Sequence, residues 1–112
     1  MNSLQRQGKP DIPLDPDGYL KNLADWDEEV AGLLAAEADL KLDEAHWEVI
    51  RVLREFYQEH QLAPANRALV RLVGRELGPD KGRSIYLMKL FGGKPALLSA
   101  KIAGLPRPRN CF

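Results

Sequence analysis

The chain has 112 residues, a length that fits one domain with a modest hydrophobic core. Hydrophobic residues make up 45% and charged residues 29%, and no apolar run approaches the roughly 20 residues of a membrane span. The first ten residues are polar and lack the pattern of a signal peptide. These features favour a soluble cytoplasmic protein over a membrane or secreted one.

The net charge of zero conceals a strong asymmetry. Residues 1–50 carry four basic and twelve acidic residues, whereas residues 51–112 carry twelve basic and four acidic ones, so the halves have charges of −8 and +8. A fold that keeps the halves apart would present a basic face to an acidic partner or to nucleic acid. A fold that interleaves them would pair its own charges, and the sequence leaves both possibilities open.

An N-terminal β-hairpin is predicted over about residues 4–14, where Gly8 separates two short segments of mixed polarity. Pro10 and Pro13 restrict the second strand to a sheet edge.

Two helices follow, each with an acidic cap. Asp25 and Glu28 resemble a capping box, which predicts a first helix over about residues 26–37. Asp43 predicts the start of a longer helix over residues 45–60, which we expect to be the core helix. Its predicted inner face consists of Trp47, Ile50, Leu53, Phe56 and Tyr57.

Three shorter helices complete the prediction. Pro64 suits the first position of a third helix that ends at Gly78. Asp80 can cap a fourth helix, which includes residues 84–91 and ends at Gly92. A fifth runs from Pro95 to about residue 103, with Gly104 as its end signal. The fold class expected is mainly α, a small orthogonal bundle of about five helices with an N-terminal hairpin.

Arg67, Arg71 and Arg75 are spaced four residues apart, so they line one exposed face of the third helix, here called the basic ridge. With Lys81 and Arg83, these residues could contact phosphates in a helix-turn-helix DNA-binding protein. Asn66 alone near the start of the third helix could read base edges, which weakens that alternative.

Metal and cofactor sites are not indicated. The chain has two isolated histidines, His46 and His60, and its only cysteine is Cys111, so no metal-ligand spacing and no internal disulfide are available. His46 lies beside the predicted core residue Trp47, which favours a structural or surface role over catalysis. Gly92-Gly93-Lys94 lacks the context of a phosphate-binding loop.

The tail combines a thiol with cations and prolines. Cys111 lies one residue from the end, where a structural thiol is unusual. Pro106 and Pro108 stiffen the segment, and the charges of Arg107 and Arg109 favour the reactive thiolate. From these residues alone, an accidental cysteine in a disordered end is an equal alternative.

Motifs along nearly the whole chain resemble the TusE/DsrC family of small sulfur-carrier proteins. The segments that carry the resemblance are Gly18-Tyr19-Leu20, Asp25-Trp26, His46-Trp47-Glu48-Val49-Ile50-Arg51, Phe56-Tyr57, Pro64-Ala65-Asn66-Arg67, Lys81-Gly82-Arg83-Ser84-Ile85-Tyr86-Leu87, Leu90-Phe91 and the closing Lys101-Ile102-Ala103-Gly104-Leu105-Pro106-Arg107-Pro108-Arg109-Asn110-Cys111-Phe112. The closing motif is the most specific of these.

The resemblance implies a helical carrier domain at residues 1–104 and a mobile arm at residues 105–112, whose Cys111 carries sulfur as a persulfide. Arg107, Arg109 and Lys101 would support the sulfur anion and orient the arm. The DsrC branch has a second cysteine eleven residues earlier, where this chain has Ala100. The chain therefore resembles the single-cysteine, TusE-like branch. The family's Phe-Pro-x-Gly-Pro loop is replaced by Phe91-Gly92-Gly93-Lys94-Pro95, which puts that loop's conformation in doubt.

The partners implied by the resemblance are a TusBCD-type sulfur donor and an MnmA-type tRNA thiouridylase that makes 2-thiouridine, with tRNA contacted indirectly. No cofactor, metal or membrane is expected, and the chain is expected to be a monomer when free. The basic ridge, together with Lys81 and Arg83, is expected to contact the acceptor. The alternatives are a DsrC-like partner of sulfite reductase or sulfur oxidation, and the helix-turn-helix protein described above.

Overall fold

Five α-helices and an N-terminal hairpin form the fold in a computed structural model, which describes residues 2–109. The strands are β1 (Ser3–Arg6) and β2 (Lys9–Pro13), and a 3-10 turn follows at Leu23–Asp25. The helices are α1 (Glu28–Glu37), α2 (Glu44–His60), α3 (Asn66–Leu77), α4 (Ser84–Phe91) and α5 (Pro95–Ile102). The predicted fold class is confirmed. Across residues 2–109, no helix is both long enough and apolar enough to cross a membrane.

The hairpin is the antiparallel pair β1–β2, as predicted. Leu4 lies opposite Ile12, and both side chains are buried, whereas most of β2 is exposed, as expected for an edge strand. A register shift between Leu4 and Arg6 precedes the turn. The hairpin therefore attaches to the core mainly through this apolar pair.

The start of α1 differs from the prediction. The cap is Asp27, whose carboxylate accepts a hydrogen bond from the backbone N–H of Val30 at 2.9 Å. Asp25 instead belongs to the 3-10 turn, which is capped by Asn22. Trp26 is extended between the turn and the helix, so the capping-box interpretation of Asp25 and Glu28 is wrong.

The start of α2 is as predicted, because Asp43 forms a capping box with His46. The Nδ1 atom of His46 accepts from the N–H of Asp43 at 3.1 Å, and its Nε2 atom donates to the carbonyl of Leu90 at 2.7 Å. The buried imidazole thus joins α2 to α4, which confirms a structural role for His46.

Two other helix starts also differ. Ala65 is the N-cap of α3 and Arg83 that of α4, and neither helix has a side-chain cap. Pro64 therefore lies before α3, and Asp80 lies in the preceding turn, where Lys81 bonds back to Gly78. The predicted end signals at Gly78 and Gly92, and the predicted start at Pro95, are correct.

The centre of the packing is α5, which contacts each of the other four helices. Ser99, Ala100 and Ile102 are buried in it. On α2, the predicted inner residues Ile50 and Leu53 are buried, whereas Trp47, Phe56 and Tyr57 are only partly buried. The short α5, rather than α2, therefore lies at the heart of the bundle and leads directly into the predicted arm.

Candidate functional site

The chain leaves the bundle at the C-terminus of α5. Leu105 is 2% exposed, and its N–H donates to the carbonyl of Ala100 at 2.9 Å. Pro108 is also buried. The packed body thus extends past residue 104, the boundary proposed from sequence, and includes Leu105. Cys111, the predicted sulfur carrier, lies outside the described residues.

Side chains from two distant elements hold the last turn of α5. The indole Nε1 of Trp26 donates to the carbonyl of Ile102 at 2.8 Å, and Arg54 on α2 donates to the carbonyl of Ala103 at 2.6 Å. The guanidinium of Arg54 also stacks 3.8 Å from the centre of the Trp26 ring. The last carbonyls of a helix have no partner within it, so these side chains cap α5 from outside.

Gly104 completes this arrangement. Its φ is +74°, a left-handed conformation that glycine adopts without a steric penalty. A Cβ atom at this position would lie 2.3 Å from Cδ1 of Trp26. We call Trp26, Arg54 and Gly104 the arm-root clamp, because they fix the backbone where the predicted arm begins.

Partial burial lowers the pKa of Arg54, because removal from water penalises its charge. The group nevertheless stays positive at neutral pH, since arginine is not deprotonated in proteins. A permanent charge is therefore held at the negative end of the α5 dipole.

The cations predicted to support the thiol are divided between two clefts. A cleft of about 370 Å³ is bordered by Lys101 and Arg107, with Asp17 and Tyr19 opposite. The Arg107 guanidinium lies 3.6 Å from the Asp17 carboxylate, and Nζ of Lys101 lies 5.1 Å from the centre of the Tyr19 ring. Arg109 instead borders a cleft of about 550 Å³ on the side of α2 and α3, and Arg107 borders both clefts.

The basic ridge is exposed, as its spacing predicted. Arg67, Arg71 and Arg75 all lie at the surface of α3, and Arg75 pairs with Glu76 at 3.2 Å. Lys81 instead lies 2.7 Å from Glu48 on α2, and this hydrogen bond raises the pKa of Lys81. Arg83 is exposed at the start of α4, so Lys81 is engaged within the fold and does not extend the ridge.

Ala100, where the DsrC branch would place its second cysteine, lies inside α5 and is 1% exposed. Its methyl group is packed in the hydrophobic core. This position therefore offers solvent no reactive group in this chain. Within residues 2–109, no cluster of three or more His, Cys, Asp or Glu residues has the geometry of a metal site.

Sequence reasoning gave Arg54 no role, and it placed Trp26 only at the start of the first helix and among the segments that resemble the family. Their backbone partners lie 49 and 76 residues away, a separation that no local pattern encodes. A weaker signal was present, because Arg54 follows Ile50 by four residues and precedes Tyr57 by three. That spacing places a charge at the edge of the inner stripe of α2.

Comparisons with known proteins give one consistent result. The family model described as "DsrC like protein" matches residues 6–112. A protein named "Sulfurtransferase TusE" from Photorhabdus laumondii is 50% identical over 102 residues, which cover 91% of this chain and 92% of the relative. A "Sulfurtransferase TusE homolog" from Haemophilus influenzae is 45% identical over 102 residues, which cover 91% and 94%.

Two solved structures share the architecture. The NMR structure of Allochromatium vinosum DsrC superposes with a TM-score of 0.88 at 44% identity, covering 99% of this chain and 98% of the other. The crystal structure of the oxidized gamma-subunit of the dissimilatory sulfite reductase (DsrC) from Archaeoglobus fulgidus has a TM-score of 0.83 at 38% identity, covering 99% and 100%.

Proposed function

Because the chain belongs to the family of DsrC-like proteins and is, like its TusE relatives, a sulfurtransferase of a sulfur relay, we propose that it carries sulfur as a persulfide on Cys111. The observation that supports this assignment is the extent of the family match, which reaches residue 112 and so includes the tail. Cys111 is the only cysteine in the sequence, so any thiol chemistry uses this residue.

The proposed loading step is an exchange between sulfur atoms. The Cys111 thiolate attacks the outer sulfur of a donor persulfide, a bond forms between that sulfur and Sγ of Cys111, and the donor's sulfur–sulfur bond breaks. The donor leaves as a thiolate, which takes up the persulfide proton. In the delivery step an acceptor thiolate attacks the outer sulfur and releases the Cys111 thiolate, so the carrier undergoes no net redox change.

The charges near the arm's root support this chemistry. Lys101 and Arg107 border the same cleft, and Arg109 borders the neighbouring one. We propose that these cations stabilise the anionic persulfide and orient residues 106–112 as an arm in a partner's cleft. Pro106 and Pro108 restrict the arm's backbone, which reduces the entropy lost when it is bound.

The proposed donor is a TusBCD-type complex, and the proposed acceptor is an MnmA-type tRNA thiouridylase that makes 2-thiouridine. The exposed basic ridge would contact the acceptor or its tRNA, with Arg83 beside it. A persulfide relay needs reduced thiols, so the proposal places the protein in the cytoplasm. The carrier is proposed to be a monomer when it is not bound to a donor or an acceptor.

A role beside sulfite reductase is the second candidate, because the structural neighbour from Archaeoglobus fulgidus is named as the gamma-subunit of that enzyme. Ala100 argues against it, since the two-cysteine chemistry of that branch needs a thiol at this position. The DNA-binding alternative is weakened by the engagement of Lys81 with Glu48.

Mass spectrometry tests the carrier assignment. After incubation with a persulfide donor such as glutathione persulfide, the protein should gain the mass of one sulfur atom, and fragmentation should locate that sulfur on Cys111. The Cys111→Ser variant should gain none. If the sulfur is found on another residue, or if no donor loads the wild-type protein, the assignment fails.

Capture experiments test the partners. Persulfidated protein immobilised through the N-terminus should retain a TusBCD-type complex or an MnmA-type enzyme, and the Cys111→Ser protein should deliver no sulfur to tRNA in a reconstituted relay. Selective retention of sulfite reductase subunits would favour the second candidate. Salt-dependent duplex binding that is unchanged by Cys111→Ser and weakened by Arg71→Ala would favour the DNA-binding one.

A further inference from the structure

The end of α5 is buried, and side chains from two other elements hold it. Ile102 and Ala103 are fully buried, so their carbonyls need donors from within the protein. Trp26, which precedes α1, and Arg54, which lies on α2, each donate a hydrogen bond to one of these carbonyls. Three elements far apart in sequence therefore meet where the predicted arm begins.

The position of Arg54 has an energetic cost, because a partly buried charge loses some of its hydration. Within the described part of the chain, its guanidinium contacts an aromatic face and a carbonyl rather than a carboxylate. A neutral side chain of similar volume could fill the same space without this cost. What the arginine specifically provides is a planar group that stacks on Trp26 and reaches the Ala103 carbonyl at the same time.

Gly104 transmits this arrangement to the following residues. The backbone turns at its positive φ while lying next to the Cβ, Cγ and Cδ1 atoms of Trp26. The direction in which residue 105 leaves the helix thus depends on the position of the indole, which depends in turn on Arg54.

We infer that the arm-root clamp of Trp26, Arg54 and Gly104 positions the Cys111 arm for delivery to a protein partner. This inference rests on the proposed function of Cys111 and adds to it the residues that aim the arm. In this role Trp26 and Arg54 are positioning residues, because they act on the thiol through the backbone.

Geometry explains why the root matters. Cys111 follows Gly104 by seven residues, and the buried Leu105 and Pro108 hold the first part of that segment against the body. Cys111 lies three residues after Pro108, so the thiol can reach at most about 11 Å from Pro108. A stiff segment with a fixed root restricts the thiol to a small part of that range, which raises its effective concentration at a docked partner. A loosened root would spread the thiol over a larger volume without changing its intrinsic reactivity.

The test compares two arginines on the same helix. Arg54→Met removes the stacking and the bond to Ala103 with little change in volume. Arg51→Met is the matched control, because Arg51 is exposed on α2 and pairs with Glu44 at the surface. Arg54→Lys retains a donor but loses the planar stack, and it serves as a second variant if Arg54→Met is poorly folded. Circular dichroism checks the fold of each.

The first readout is the distribution of distances between spin labels on Cys111 and on a cysteine introduced by Ser84→Cys, at an exposed position of α4. The distribution should broaden in Arg54→Met, broaden less in Arg54→Lys, and match the wild type in Arg51→Met. Equal distributions in all four proteins would overturn the inference. This measurement needs no persulfide, so it tests the clamp even if the carrier assignment fails.

The second readout separates positioning from general stability. Transfer of sulfur from the persulfidated protein to an MnmA-type acceptor enzyme should slow about tenfold in Arg54→Met, because misplaced reacting groups lose effective concentration. Alkylation of Cys111 by iodoacetamide, which needs no docking, should keep its wild-type rate. A parallel fall in both rates, or unchanged transfer despite a broader distribution, would contradict a positioning role.

Discussion

At the scale of single residues, Gly104 is a position where the addition of one methyl group should have a large effect. Its φ of +74° and its contact with Trp26 leave no room for a side chain. Gly104→Ala should therefore lower the free energy of unfolding by about 1–3 kcal/mol. Urea denaturation followed by circular dichroism measures this change.

The matched control is Gly32, which lies exposed within α1, where an added Cβ would meet no atom within 4 Å. Gly32→Ala should raise the free energy of unfolding by about 0.5–1 kcal/mol, because alanine favours helix more than glycine does. Equal effects of the two substitutions would contradict the assigned strain at Gly104.

Asp43 should make the stability depend on acid pH. The backbone N–H of His46 donates to its carboxylate, and this bond, aided by that of the Ala45 N–H, lowers the pKa of Asp43 below its usual 3.8. A lowered folded-state pKa adds stability above the unfolded pKa, and that stability is lost as the pH falls through the folded value.

Asp43→Asn keeps a capping oxygen but removes the charge. Wild type should therefore be more stable than this variant at about pH 6, and the difference should shrink toward about pH 3. Urea denaturation at both pH values measures it. A difference that does not change with pH would show that the charge of Asp43 contributes nothing to stability.

Residue chemistry and the family resemblance together indicated Cys111 as the reactive residue, and that assignment remains a proposal. Neither Trp26 nor Arg54 could be recognised as a helix cap from sequence, because each bonds to a carbonyl that only the tertiary fold brings near. Local patterns identify groups that act through their own chemistry. They do not identify groups whose role comes from long-range geometry.

At the scale of elements, helix ends were predictable where one local signal was available. Asp43 capped α2, and glycine ended α3 and α4, as expected. The start of α1 was misplaced because Asp25 and Asp27 both have acidic neighbours, and the sequence alone does not distinguish them. Because the helix is capped at Asp27, Trp26 lies before it in an extended conformation, and its indole donates to the carbonyl of Ile102.

The burial of α5 leads to a prediction about the second cysteine of the DsrC branch. In an Ala100→Cys variant the new thiol would occupy a core position that is 1% exposed. Iodoacetamide should therefore modify Cys111 quickly and the introduced thiol only when the protein unfolds, as measured by mass spectrometry over time. Equally fast modification of both thiols in the native protein would contradict this packing.

A cysteine introduced by Ser84→Cys provides the control, because Ser84 is exposed on α4. Its thiol should react rapidly in the native protein. Slow reaction at this site as well would mean that the reagent, rather than burial, limits the rate.

At the scale of the whole molecule, the two charged halves are partly interleaved. Ion pairs join Glu48 to Lys81 and Asp17 to Arg107, across the boundary at residue 50. The basic ridge on α3 nevertheless stays exposed. The sequence left open whether the fold interleaves its acidic and basic halves or presents a basic face, and different regions of the structure do each. Helix packing, rather than composition, determines which charges pair.

The exposed ridge predicts a salt-dependent step in the relay. The double variant Arg67→Gln/Arg71→Gln should slow sulfur transfer to the acceptor at low ionic strength. The difference in transfer rate between this variant and the wild type should decrease at high salt, because surface charges are screened over about 10 Å at 0.1 M. Transfer rates measured at several salt concentrations test this expectation.

Lys21→Gln/Lys41→Gln removes the same charge from the acidic half, where both lysines are exposed. This control should transfer sulfur at the wild-type rate, and loading of Cys111 by glutathione persulfide should be unchanged in both double variants. Equal losses in the two variants would indicate an effect of net charge instead of the ridge.

The stacking of Arg54 on Trp26 also has an optical consequence. Indole emission responds to a nearby cation and to hydrogen bonding at Nε1, and Trp26 has both at the start of the arm. The chain contains one other tryptophan, Trp47, so replacing Trp47 by phenylalanine leaves Trp26 as the only indole. The protein thus contains its own fluorophore in the arm-root clamp of its proposed carrier segment, and rearrangement there can be followed without an added dye.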